Sequence, residues 1–162
     1  MRIILLTLFL IGILPNASLA DSSDRGSVQA VLDSFHDAAS KADAERYFGH
    51  FAPDGVFLGT DINERWSVEE FKSYALPYFQ KGKGWTYTPQ SRHIYLSEDG
   101  KTAWFDEILL NDKFGETRGS GVLINRDGTW KVAQYHLTLP VPNELIETVV
   151  KMIEDQPSKV RD

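Results

Sequence analysis

The sequence predicts an α+β domain in which helices cover one face of a curved antiparallel sheet. Three observations predict it. Apolar residues in the first half recur at helical spacing. From Trp85 the period changes to two. That second half is cut into strands by short polar turns at Glu98-Asp99-Gly100, Asp112-Lys113-Phe114-Gly115 and Arg126-Asp127-Gly128. With 162 residues, 42% hydrophobic and 25% charged, the chain has the proportions of one globular domain.

Residues 1–20 read as an export leader. Arg2 supplies a basic start, Ile3 to Leu14 an apolar run, Pro15 a break, and Ser18-Leu19-Ala20 small residues at a cleavage site. The run is short for a bilayer span. Cleavage after Ala20 removes only Arg2 among the charges, making the mature chain one unit more negative than −6. The expectation is a periplasmic or secreted protein with a single domain over residues 21–162, and no membrane attachment once the leader is gone.

Val28, Val31, Leu32, Phe35 and Ala39 form one face of a helix. Asp43 caps a second, short helix carrying Tyr47, Phe48 and Phe51. Pro53-Asp54-Gly55 reads as a turn, Val56 to Thr60 as a strand, and Glu64 to Trp66 as its return. Ser67 and Glu70 form a capping box for a helix carrying Val68, Phe71, Ala75, Tyr78 and Phe79, with Pro77 in its last turn. Strands follow at about 85–96, 102–111, 117–125 and 129–138, with Pro89 at an edge or bulge. Asn143 caps a tail helix whose Leu145, Ile146, Val149, Val150, Met152 and Ile153 are expected to point inward.

Turn lengths set which strand residues share a face. A three-residue loop at 126–128 pairs Asn125 with Thr129, Ser120 with Gln134 and Arg118 with His136. A two-residue loop would instead place Lys131 opposite Ile124. A four-residue loop at 112–115 sets Glu107 opposite Ser120, and a three-residue loop at 98–100 sets His93 opposite Phe105. One face then carries His93, Glu107, Arg118, Ser120, Gln134 and His136. The other carries Arg92, Trp104, Asp106, Tyr135 and Leu137.

Several function classes are excluded. The chain has no cysteine, so disulfides, thiolate metal sites and cysteine nucleophiles are absent. Its acidic balance lacks the clustered basic residues that nucleic acid requires. The histidines at 36, 50, 93 and 136 show no tight metal-ligand spacing, and no metal is expected. His36 and His50 fall on predicted helices, where simple exposure accounts for them.

Gly-Val-Phe-Leu-Gly-Thr-Asp at 55–61, Glu-Arg-Trp at 64–66, Ala-Trp-Phe-Asp-Glu at 103–107, Arg-Gly-Ser-Gly-Val-Leu at 118–123 and Gln-Tyr-His-Leu-Thr at 134–138 carry a resemblance. Over about residues 27–145 the chain resembles the SnoaL-like branch of the NTF2-like superfamily. The resemblance implies a cone: a bent sheet wrapped around N-terminal helices, with a pocket inside. It also implies a homodimer formed through the sheet. Some members are cofactor-free isomerases, cyclases or dehydratases using an acidic residue or a His–Asp pair, and others only bind ligands. The catalytic Asp motif of the steroid isomerases and polyketide cyclases has no match here, so no catalytic role carries over.

Buried polar groups must be paired or line a wet pocket. Glu107 and His136 are therefore the candidate acid and base, and His93, Arg118, Ser120 and Gln134 the candidate ligand contacts. Arg118 offers a fork of donors to an anionic or carbonyl group. A structural Glu107–Arg118 ion pair accounts for the same residues. Asp61, Arg65 and Trp66 are candidates at the mouth. Trp85, Tyr87, Trp104 and Trp130 on the sheet, and Tyr47, Phe71, Tyr74 and Tyr78 on the helices, serve as core or as pocket wall. The leading expectation is a small-molecule binder without a cofactor, its pocket ending at Arg118 and His136. The alternative is an isomerase, cyclase or hydratase using Glu107 or His136. A third reading is an interaction module that dimerises through its sheet.

Overall fold

The computed structural model describes residues 17–156. The expected leader lies outside the described residues as far as Asn16. Helix α1 (Ala17–Ser40) and the short α2 (Ala44–Gly49) lead into β1 (Phe51–Leu58) and β2 (Arg65–Ser67). Then come α3 (Val68–Phe79), β3 (Thr88–Leu96), β4 (Thr102–Asn111), β5 (Gly115–Arg126), β6 (Thr129–Thr138), one 3₁₀ turn (Asn143–Leu145) and α4 (Ile146–Glu154).

The sheet has six strands in the order β2-β1-β6-β5-β4-β3. It is mixed rather than wholly antiparallel, because β1 runs parallel to β6. The α1 stripe of Val28, Leu32, Phe35 and Ala39 is buried against its inner face together with Phe57, Phe71, Phe105, Leu109, Val132 and Tyr135. Local signals work as expected at two caps. The Asp43 side chain accepts from the Arg46 N–H, and Ser67 and Glu70 form both halves of the capping box. Pro89 sits on the edge strand, where the β3–β4 register shifts between it and Ser91.

Other expectations fail for identifiable reasons. Phe51 begins β1 rather than ending a helix, and Pro53-Asp54-Gly55 is a bulged stretch of that strand rather than a turn. Bulging keeps the Pro53 nitrogen from being needed as a ladder donor. The tail helix does not turn its apolar residues inward. Ile146, Val150, Met152 and Ile153 are exposed, and α4 buries no residue. Among the described residues no helix is long and apolar enough to cross a membrane.

All three hairpins differ from expectation by one residue of loop. Asp127 (φ +53°) and Gly128 (φ +81°) form a two-residue turn that pairs Arg126 with Thr129 and Ile124 with Lys131. An extra residue at Ala133 shifts the register again, and Ser120 then faces His136. At the next hairpin Asn111 pairs with Gly115 (φ +70°), which places Glu107 opposite Gly119 rather than Ser120. In the first hairpin Leu96 pairs with Ala103 and Arg92 with Glu107. Side chains alternate along a strand, so each slip moves a whole set to the other face.

Candidate functional site

The inner face carries the row Leu137–Gly119–Glu107–Arg92 beside the row Phe57–Tyr135–Gly121–Phe105–Ile94. Glu107 has no exposed surface. Helix α1 delivers His36 to it, with Nε2 at 2.7 Å from Oε1. The Tyr135 hydroxyl donates to the same oxygen at 3.0 Å. On the other side the Arg92 Nε donates to Oε2 at 2.7 Å. Arg92 Nη2 also lies 2.7 Å from Oε2, close enough for an ion pair but without the angle of a hydrogen bond. Arg92 Nη1 reaches out to Asp33 Oδ1 at 2.6 Å.

Gly119 makes this meeting possible. A Cβ there would stand 2.4 Å from the Tyr135 hydroxyl and 2.8 Å from Glu107 Oε1. Burial pushes the Glu107 carboxyl up, but the hydrogen bond and charge of His36 and the Arg92 guanidinium outweigh it and hold the group below its ordinary range. Burial, and then the Glu107 charge, raise the Tyr135 phenol well above its ordinary value. Tyr135 therefore stays protonated and donates. An ionised Glu107 has no proton to give, so His36 Nε2 must carry one. In the charged form His36 donates to Glu107 and stabilises its carboxylate; in the neutral form bound this way the lone pair is on Nδ1, the tautomer a general base needs.

Above this network a cleft of about 360 Å³ opens to solvent. Its walls are aromatic: Trp66 from β2, Phe71, Tyr74 and Tyr78 from α3, Trp85 and Tyr87 from the segment before β3, and Phe114 from the β4–β5 turn. Phe57, Trp85, Tyr87 and Leu137 also wall a separate void of about 20 Å³, lined in addition by His36, Tyr47 and Tyr135. That void has room for about one water or one small ligand group. Asn111 fixes the far wall. Its Oδ1 accepts from the N–H groups of Lys113 and Phe114, both at 3.0 Å, and its Nδ2 donates to the Thr86 carbonyl at 2.9 Å.

Of the expected site residues, Trp66 is in the cleft wall, and Glu107 is buried behind His36 and Tyr135 and lines neither the cleft nor the void. His93, Arg118, Ser120, Gln134 and His136 are on the outer face and do not meet Glu107, because the one-residue hairpin slips reverse their parity. The expected Glu107–Arg118 pair is replaced by Glu107–Arg92. Asp61 is exposed in the β1–β2 loop, where its carboxylate accepts from Asn63. Arg65 is exposed on β2. Trp104 is exposed on the outer face and Trp130 is buried core. His36, Arg92, Tyr135 and Asn111 were missed. The signal for His36 was present: it follows Leu32 by four and Val28 by eight, and so shares their buried stripe.

The SnoaL-like domain model matches residues 28–142, most of the described chain. The protein belongs to the SnoaL-like domain family. Solved structures agree in fold. A protein of unknown function from Mycobacterium tuberculosis superposes with a TM-score of 0.66 at 16% identity, covering 93% of this chain and 86% of that one. A candidate scytalone dehydratase from Novosphingobium aromaticivorans gives a TM-score of 0.66 at 12% identity, covering 76% and 89%. A candidate dehydratase of the NTF2-like family from Streptomyces avermitilis gives 0.60 at 14%, covering 75% and 99%. At these identities the likeness of this SnoaL-like chain to them is one of fold. No curated protein matches.

Proposed function

We propose that this SnoaL-like domain binds a small organic molecule in the aromatic cleft, with His36 as its acid–base group. The observation that carries the reading is that the cleft and the void at His36 and Tyr135 share the wall of Phe57, Trp85, Tyr87 and Leu137. Glu107 plays the positioning part: it holds the imidazole by Nε2 and would stabilise the imidazolium formed when Nδ1 takes a proton. Two structural relatives described as candidate dehydratases are consistent with proton-transfer chemistry in such a cone. We also read the chain as exported and as a homodimer.

Native mass spectrometry of gently purified protein tests the pocket. One small molecule per chain is expected, lost in Thr60→Trp, which fills the mouth from an exposed position. A bare chain that also fails to take up 2-naphthylmethanol by calorimetry would sink the pocket. For the acid–base role, His36→Gln should retain the bound molecule but stop its deuterium uptake from D₂O. Unchanged uptake removes His36 from that role.

A further inference from the structure

We propose that the cleft selects an aromatic carboxylate, with its ring against the aromatic wall and its carboxylate beside Lys83 and Lys113 of the lining. The inference rests on the reading of the cleft as a ligand site and adds the chemical class of the ligand.

The first observation is the wall. Phe57 and Phe71 stack on each other with ring centres 3.9 Å apart and are buried, so the rings open to a ligand are those of Trp66, Trp85, Tyr74 and Tyr78. Aromatic rings give an aromatic ligand stacked or edge-to-face contact that a saturated ring of equal volume cannot match.

The second observation is the charge at the mouth. Lys83 follows α3, and Lys113 stands in the Asn111-held turn with Nζ 4.9 Å from the Phe114 ring centre. Among the described residues neither ammonium forms an ion pair. This is against the trend of a chain carrying −6 overall. The carboxylate in the lining, Glu64, is tied to its own loop: Oε2 accepts from the Asp61 N–H at 3.2 Å and its side chain lies over Gly59. An anionic ligand group therefore meets two unpaired cations. An ammonium would meet the same two cations as like charges, with Glu64 as its only counter-ion.

Calorimetry with 2-naphthoate, 2-naphthylmethanol, 2-naphthylmethylammonium and decalin-2-carboxylate separates the parts of this proposal. Naphthoate is expected to bind about tenfold tighter than the alcohol at low salt, from two partly exposed charge contacts. The gap should close as salt rises. In Lys83→Gln/Lys113→Gln it should vanish through loss of naphthoate affinity, with the alcohol unchanged. Equal binding of acid and alcohol, or tightest binding of the ammonium, overturns the charge assignment and leaves the pocket standing. Decalin-2-carboxylate binding as tightly as naphthoate overturns the aromatic part. If none of the four binds, the pocket itself fails and this inference fails with it.

Discussion

Glu107 has four polar atoms from three side chains around its carboxylate: His36 Nε2, the Tyr135 hydroxyl, and Arg92 Nε and Nη2. A buried charge is tolerable only while such partners remain, so breaking the set costs more than the pair is worth. Arg92→Ala should destabilise the fold by about 3–5 kcal/mol in urea melts. Adding Glu107→Gln should recover part of that loss, because the stranded charge is gone. The sign of the pH dependence follows from the lowered Glu107 carboxyl. Its contribution is present above the ordinary value of 4.5 and is lost as pH falls through the folded-state value. Native protein should therefore lose stability below that point, and Glu107→Gln should show a shallower acid limb in denaturant midpoints. Gly119 is the second constraint at this scale. Gly119→Ala should cost about 1–3 kcal/mol by driving a methyl into the Tyr135 hydroxyl and Glu107. Measured coupling to Tyr135→Phe checks the cause, and strict additivity of the two substitutions would contradict it.

Elements were legible where the chain carries its own punctuation. Strands β4 and β6 fall at 102–111 and 129–138 as expected, because Asp-Gly and Gly-bearing turns bracket them. Faces were less legible, since a single residue of loop length decides the parity of everything beyond it. The clean sorting of Arg118, Ser120, Gln134 and His136 onto one face was real, but that face is the outer one. Ala133 explains part of this, because a bulge in mid-strand leaves no mark as plain as a glycine. The β4–β5 turn is the element on which the cleft depends most directly. Asn111 holds it through two backbone N–H groups and one carbonyl. Asn111→Ala should lower the affinity for 2-naphthoate several-fold while costing the fold only about 1 kcal/mol, the net worth of a partly exposed hydrogen-bond set. Thermal melts alongside calorimetry separate the two effects. A large loss of stability with unchanged affinity would assign Asn111 to the scaffold instead.

At the scale of the whole molecule, α1 packs on the sheet and walls the void through Phe35, His36 and Ala39, and this bears on export. The proposed cleavage after Ala20 falls within α1, four residues past its start at Ala17. Such a cut is tolerable only if nothing upstream belongs to the core. Among the residues whose burial is described, which begin at Ser22, the earliest buried one is Val28, and Arg25 donates to the Ile94 carbonyl at 2.6 Å. Both lie beyond Asp21. His36, fifteen residues past that point, stays held by Glu107 and by the edge contact with Phe35. The expectation under the export proposal is that removal of residues 1–20 leaves the fold and the site intact. Expressed in a Gram-negative host, the protein should appear in the periplasmic fraction with Asp21 as its first residue by N-terminal sequencing. The fragment 21–162 made directly should match its thermal midpoint and its affinity for 2-naphthoate. A periplasmic chain still beginning at Met1, or a fragment that melts well below the exported protein, would show that the first helix is needed from its start and that the segment is not a removable leader.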